Sequence, residues 1–235
     1  MSQRDKMPFS ACLAERLLFP EIHAIIKEKL SRKVMDKERF EKQLAFILEA
    51  DKEKEIYRQT HLTGYKRQEN DAEHAWHMAL MIYLLKEYAN EEFDVAKAMV
   101  MALIHDIVEI DAGDTYAYDT EAIASQAERE EKAAKRIFGL LPDEQKEEML
   151  ALFNEFEQNA TPEAKFAHAI DNFQPLLLND SNNGGDWLAH KVKKSQVIQR
   201  QQKSELGSKE IWQYTKKLIE KNVENGYIYN DDKEE

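Results

Sequence analysis

The segment VAKAMVMALIHD, residues 95–106, is apolar around most of its circumference when it is placed on a helix. Such a helix needs to be enclosed on most sides, so we expect it at the centre of a helical bundle, with Asp94 as its N-cap. The segment ends in His105 and Asp106. The sequence therefore predicts an imidazole and a carboxylate at the end of its most hydrophobic helix.

The rest of the chain also favours helices, because 7 glycines and 5 prolines in 235 residues are too few for the turns of an all-β fold. Helical spacing of apolar residues predicts helices at 36–58, at 71–89 with Asp71 as cap, and up to about 138 with Gly139 as terminator. New helices are expected at Pro142 and at Thr161–Pro162, with loops at 59–70, 110–119 and 179–186. We predict an all-α fold with an N-terminal helical extension at 1–50 packed on the core, a helical domain at 51–225 and an acidic tail at 226–235.

The net charge and the cysteine content limit which binding partners and which cellular compartment we expect. The formal net charge is −12, which opposes binding to nucleic acid polymers and to anionic membranes. A single cysteine, Cys12, permits neither an internal disulfide nor a cysteine-rich zinc site, so histidines and carboxylates must hold any metal. The first residues lack an apolar signal segment and no apolar stretch reaches membrane-spanning length, so we expect a cytoplasmic protein without a membrane partner.

Several polar residues interrupt apolar helical faces: His74, the pair His105 and Asp106, Glu109, and Asp171. Buried polar groups need partners, and a divalent cation would serve this nitrogen and oxygen set. Taken singly, each of these residues has an ordinary structural interpretation. A histidine can bond to a backbone carbonyl in the core, and a carboxylate can pair with lysine or arginine. Glu109 shares a face with His105 if the helix continues for one more turn.

The spacing of these residues in HDIVEIDAGD (105–114), after AEHAW and before AIDNF, resembles the HD-domain metal-dependent phosphohydrolases. Within that superfamily, RQENDAEHAWHMA (67–79) is most similar to the bacterial 5′-deoxynucleotidases and their eukaryotic HD-domain relatives. The resemblance covers roughly residues 50–200. It implies an HD-domain helical bundle that removes phosphate from (deoxy)nucleoside 5′-monophosphates, commonly as a homodimer.

The resemblance also implies roles for individual residues. Its metal ligands correspond to His74, His105, Asp106 and Asp171. One divalent ion is expected there, and Mn, Co, Zn, Fe and Mg all suit the donor set.

The remaining implied roles concern water and substrate. The residue that acts on the attacking water corresponds to Glu109, and the residue that contacts the sugar or assists catalysis corresponds to Asp114. The upstream arginine that binds the substrate phosphate matches Arg58, with Arg67 as a second candidate.

The sequence leaves alternatives open. Gln59 stands where the bacterial enzymes carry an aromatic residue after the arginine, which puts deoxyribose selectivity in doubt. A cyclic-nucleotide phosphodiesterase, a nucleotide triphosphohydrolase, a di-iron oxygenase and a non-catalytic helical interaction module are the competing functions. Two-metal versions of the fold need extra histidines before the last aspartate, where only His168 falls, and this argues for one metal. We interpret His77 and His168 mainly as packing residues, and Tyr116 and Tyr118 as loop residues that could stack on a base.

Overall fold

The apolar segment singled out above is a central helix in the computed structural model, which describes residues 36–114 and 120–232. The chain divides into two compact units, Met1–Glu41 and Lys42–Glu235. Of the first unit only residues 36–41 are described, and they begin the first helix. Most of the predicted N-terminal extension, Tyr116, Tyr118 and the last three residues of the acidic tail lie outside the described residues.

Helices account for most of the described chain, which confirms the all-α class. The α-helices are α1 (Lys37–Ala50), α2 (Asp71–Leu85), α3 (Val95–Ile104), α4 (Glu109–Ala112), α5 (Thr120–Ile137), α6 (Asp143–Gln158), α7 (Pro162–Ser181), α8 (Gly185–His190), α9 (Lys194–Gln201) and α10 (Lys209–Glu224). Short 3-10 helices span Asp51–Glu55, Lys86–Tyr88, Phe138–Leu140 and Gln202–Leu206. None of these helices combines the length and apolar character needed to cross a membrane.

Helices α2, α3 and α7 pack against one another and enclose the main core. Met78, Ile82, Met101, Phe166 and Ile170 are fully buried there. Each of these side chains removes enough apolar area from water to stabilise the fold by about 1.5–3 kcal/mol. The predicted burial of α3 is confirmed for Ala98, Met101, Ala102 and Ile104, whereas Leu103 is 44% exposed. This packing places the start of α2 and the end of α3 next to the middle of α7.

The cap residues explain where these helices begin. The Asp94 carboxylate accepts a hydrogen bond from the backbone N–H of Lys97, and Thr161 caps α7 in the same way, as predicted. Asp71 was the wrong cap for α2. The cap is Asn70, which forms a reciprocal capping box with Glu73, so Asp71 is the first helical residue and lies buried.

The predicted helix at 36–58 and loop at 59–70 were both wrong in detail. Helix α1 ends at Ala50, and a small antiparallel hairpin follows, with β1 (Tyr57–His61) paired to β2 (Gln68–Asn70). The register aligns Tyr57 with Asn70 and His61 with Gln68. Strands of five and three residues are too short for an alternating pattern to stand out in the sequence.

Other predicted boundaries also shift. Helix α7 continues to Ser181 through Pro175, and α8 begins at Gly185, so the loop expected at 179–186 shortens to three residues, 182–184. Gly139 lies inside the 3-10 helix Phe138–Leu140 and has no positive φ, so it does not end α5 as a left-handed residue. Residues 110–112 of the expected loop belong to the short helix α4, which begins at Glu109.

Candidate metal centre

His74 reaches the interior from the first turns of α2, and its side chain is fully buried. Its Nδ1 atom lies 3.0 Å from Gln174 Oε1, while Gln174 Nε2 donates to Glu69 Oε1 over 2.7 Å. Because the Glu69 carboxylate accepts, the amide N–H of Gln174 faces Glu69 and its oxygen faces His74. His74 therefore donates through Nδ1, and Nε2 points toward the other site residues.

His105 and Asp106 lie where α3 ends. His105 Nδ1 donates to the carbonyl oxygen of Ala102 over 2.8 Å, which directs Nε2 into the site. This buried Nε2 has no hydrogen-bond partner, although Asp106 Oδ1 lies 3.1 Å away in a poorly aligned position. Burial lowers the pKa of His105, but the nearby carboxylates, foremost Asp106, outweigh burial and raise it to about 9.

Asp171 comes from the middle of α7 and completes a three-residue cluster with His74 and His105. Asp171 Oδ1 is 3.1 Å from His74 Nε2 and 4.0 Å from His105 Nε2. One donor atom from each of the three residues lies within 4.8 Å of the other two. Two imidazole nitrogens and a carboxylate oxygen at such separations can hold a metal ion, and a buried Nε2 without a hydrogen-bond partner at His105 fits the role of a metal ligand.

Asp106 joins this cluster and also forms an ion pair with Arg58. Its Oδ2 atom is 4.0 Å from His74 Nε2 and 2.6 Å from Arg58 Nη1. Burial raises the pKa of Asp106, but His105 and Arg58 outweigh it and hold that pKa well below the usual range. Arg58 Nη1 also lies 3.4 Å from Asp71 Oδ1, so Arg58, which belongs to β1, contacts two carboxylates.

Further carboxylates surround the cluster, and their charge is poorly balanced. Burial and the carboxylates of Asp106 and Asp71 raise the pKa of Glu109 to about 12. Burial also raises the pKa of Asp71, to about 7, and that of Asp114. Glu109 Oε2 and Asp71 Oδ2 are buried without hydrogen-bond partners. Such a site favours the addition of positive charge.

The structure brings together His74, His105, Asp106, Asp171, Arg58 and Glu109, whereas Arg67 lies elsewhere. The Arg67 side chain is 51% exposed and pairs with Glu73 at the end of the hairpin. The condition under which His105 and Glu109 would share a helical face is not met, since α3 ends at Ile104 and α4 starts at Glu109. A turn links the two helices, in which Glu109 N–H donates to the Asp106 carbonyl over 2.8 Å, and Glu109 is buried.

Two histidines near the cluster make other contacts. His168 Nε2 donates to the carbonyl oxygen of Phe156 over 2.8 Å and its ring stacks on that phenylalanine, which fits its interpretation as a packing residue. His77 Nδ1 lies 3.1 Å from Gln174 Nε2, so this histidine contacts the residue that orients His74.

Sequence reasoning missed four residues that contact the cluster or its neighbours: Glu69, Asp71, Gln174 and Arg200. Gln174 lies three positions after Asp171 on the same helix, and helical spacing could have indicated it. Glu69 and Asp71 flank Asn70, the N-cap of α2. Acidic residues at a helix N-terminus commonly interact with the helix dipole, so no pattern in the sequence assigned them to the site. Arg200 is far away in sequence, and no local pattern points to it.

A family model described as "HD domain" matches residues 50–212. The human protein named 5′-deoxynucleotidase HDDC2 is 30% identical over 112 residues, 48% of this chain and 53% of the human protein. The Danio rerio protein of the same name is 31% identical over 113 residues, 48% of this chain and 54% of its own length. The chain thus spans about half the length of these curated relatives.

A solved structure is similar over a larger part of the chain. It is the crystal structure of a "predicted metal-dependent phosphohydrolase" from Magnetospirillum magnetotacticum MS-1, with 47% sequence identity and a TM-score of 0.79. The similarity covers 82% of this chain and 97% of that protein.

Proposed function

Because this chain belongs to the HD domain family, we propose that it is a metal-dependent phosphohydrolase that removes phosphate from (deoxy)nucleoside 5′-monophosphates. One structural observation carries the proposal: His74, His105 and Asp171 converge in a buried cluster, and His105 Nε2 there lacks a hydrogen-bond partner. The similarity to proteins named 5′-deoxynucleotidase and metal-dependent phosphohydrolase supports the reaction class.

The ligand set that we propose consists of His74, His105, Asp106 and Asp171. Gln174 and the Ala102 carbonyl orient the two imidazoles so that each presents Nε2. One divalent ion, Mn, Co, Zn, Fe or Mg, suits these donors. When bound, such an ion lowers the pKa of a water molecule and offsets the charge of a phosphate group.

Glu109 and Asp114 supply the proton transfer and the sugar-side contact in this proposal. Glu109 is buried next to Asp106, and once positive charge balances the surrounding carboxylates it can exist as a carboxylate and accept a proton from water. The effect of Arg58 and Asp106 on the pKa of Asp114 supports a place for this carboxyl group near the same site.

Arg58 is the proposed phosphate-binding residue on β1. Its guanidinium lies against Asp106 and Asp71, with only 13% of the side chain exposed. A planar guanidinium can present parallel donors to phosphate oxygens. Arg67, exposed and bound to Glu73, has less support for this role from its position.

Other functions of the fold have weaker support. A second metal ion would require further histidines between Asp106 and Asp171, and His168 in that interval bonds to the Phe156 carbonyl. A non-catalytic module would have no need for the converging ligands or for the buried Glu109. The similarity to proteins named 5′-deoxynucleotidase favours a nucleoside monophosphate as substrate over a cyclic nucleotide or a triphosphate.

We also infer a cytoplasmic homodimer. The single cysteine of the chain fits a reducing compartment. On α2, Trp76, Leu80, Tyr83 and Leu84 are exposed at helical spacing and support an apolar contact between copies. Light scattering on the full chain should give twice the monomer mass, and a monomer mass would refute this assembly.

Phosphate release tests the enzymatic proposal. The protein is incubated with deoxy- and ribonucleoside 5′-monophosphates, 3′-monophosphates and triphosphates. Each substrate is tested with Mn²⁺, Co²⁺, Mg²⁺, Zn²⁺ or EDTA. We expect metal-dependent release from 5′-monophosphates alone. Asp106→Ala should lose both bound metal and activity, whereas Asp111→Ala, which removes an exposed carboxylate paired with Arg136, should retain both. Full metal content in Asp106→Ala would contradict the ligand assignment.

A further inference from the structure

Arg200 places a half-exposed guanidinium at the edge of the candidate metal centre. It lies near the end of α9, its side chain is 43% exposed, and its Nη2 is 3.4 Å from Asp171 Oδ2. That distance is at the long limit of a hydrogen bond. In the part of the chain that the structure describes, Asp171 is its one ion-pair partner.

Arg58, in contrast to Arg200, has more than one carboxylate partner. Arg58 Nη1 is 2.6 Å from Asp106 and 3.4 Å from Asp71, and its side chain is almost enclosed. Its charge is already compensated by two buried carboxylates. Arg200 makes one long contact and faces solvent on its other side, so it can turn toward an incoming anion at a smaller cost.

The carboxylates of the cluster favour a cation at its solvent-exposed edge, where Arg200 lies. Asp106 and Asp171 are buried carboxylates within one site, and their negative charge repels an anionic substrate. Arg200 also lies within electrostatic reach of Asp114, where it offsets part of the pKa increase that burial causes.

The sequence around Arg200 is locally basic. Residues 191–203 contain five lysines or arginines and no acidic residue, in a chain whose net charge is −12. Local positive potential raises the concentration of anions at its surface and favours their approach. Arg200 is the member of this segment that contacts a residue of the cluster.

We propose that Arg200 is a substrate-binding residue that donates hydrogen bonds to the phosphoryl oxygens of the nucleotide. This inference rests on the proposed function and adds a residue to it. When Asp171 acts as a metal ligand, its charge is neutralised by the ion, and Arg200 becomes available to the phosphate. The forked donors of a guanidinium match two phosphate oxygens, which a lysine ammonium cannot do.

Calorimetric binding of inorganic phosphate to the Mn²⁺-loaded protein tests Arg200 independently of turnover. We expect Arg200→Ala to weaken phosphate binding by about 10- to 100-fold, the loss typical of a charge-assisted contact. Arg200→Lys should lose less, because it keeps the charge without the fork. Lys217→Ala, which removes an exposed positive charge on α10 outside this basic segment, is the matched control and should bind phosphate like the wild type. Mn²⁺ affinity, measured in parallel, should be unchanged in Arg200→Ala.

Wild-type phosphate affinity in Arg200→Ala would overturn the inference. So would an equal loss of Mn²⁺ affinity, which would mean that Arg200 acts by positioning Asp171. Failure of the wild type to bind phosphate would overturn it as well. Arg200-dependent phosphate binding without phosphate release from any nucleoside monophosphate would uphold Arg200 and refute the proposed nucleotidase activity.

Discussion

Glu109 shows how strongly the surroundings of one residue determine its chemistry. Burial and the carboxylates of Asp106 and Asp71 raise its pKa to about 12, so the carboxyl group carries a proton at neutral pH in the ion-free protein. A general base needs to be deprotonated at the working pH. Glu109 therefore depends on added positive charge in the site, and binding of a divalent ion should release protons to the solution.

Replacement of Glu109 by glutamine tests this role. Glu109→Gln keeps the size of the side chain but removes its capacity to accept a proton, so kcat for phosphate release should fall by about 10²- to 10⁴-fold. Metal content, measured by elemental analysis, should remain that of the wild type. Glu131→Gln on the exposed surface of α5 is the control and should leave kcat unchanged. A wild-type kcat in Glu109→Gln would remove Glu109 from the mechanism.

At the scale of elements, the helices with strong local signals were predictable. Asp94 caps α3 and Thr161 caps α7, because each signal depends on a side chain and its own helix. The four ligand candidates stand out as polar residues on apolar helical faces, the family resemblance implies their role, and the structure brings them together. The hairpin at 57–70 and the break between Ile104 and Glu109 were not predictable, since both depend on tertiary contacts.

The same distinction explains why Arg200 and Glu69 were missed. Arg200 contacts Asp171 from 29 positions away, and Glu69 contacts Gln174 from 105 positions away. No periodic pattern connects such distant residues. Their position becomes evident only when α7, α9 and the hairpin are packed.

Close packing between two elements gives a prediction at this scale. A Cβ atom at Gly207 would lie 2.1 Å from the backbone oxygen of Lys165 in α7, so α10 and its preceding 3-10 helix could not keep their position. Gly207→Ala should destabilise the fold by about 1–3 kcal/mol. Gly139→Ala, where a Cβ would have no neighbour within 4 Å, should not lower the melting temperature. Equal melting temperatures for Gly207→Ala and the wild type, measured by circular dichroism, would refute this packing.

At the scale of the whole molecule, the buried carboxyl groups link stability to pH. Burial, with a smaller effect of Asp106, raises the pKa of Glu53 from 4.5 to about 8. The folded protein therefore holds a proton that the unfolded chain loses above pH 4.5. This contribution to stability is fully present below pH 4.5 and is lost as the pH rises toward about 8.

Urea unfolding at several pH values, with EDTA present, tests this linkage. The free energy of unfolding should decrease between pH 5 and 8 in the wild type, and Glu53 should contribute up to about 1.4 kcal/mol per pH unit. Glu53→Gln should show a smaller decrease, because its amide does not ionise. Asp71 and His105 remain in both proteins, so the difference between the curves isolates Glu53. Parallel curves would show that Glu53 is not protonated in the folded protein.

Titration of metal-stripped protein with Mn²⁺, followed by phosphate release from a deoxynucleoside 5′-monophosphate, tests the central proposal most directly. The account predicts no release in EDTA, a rise with each addition, and saturation near one equivalent, because four residues converge on a single cluster. Undiminished release from the stripped protein, or none at saturating metal, would contradict it.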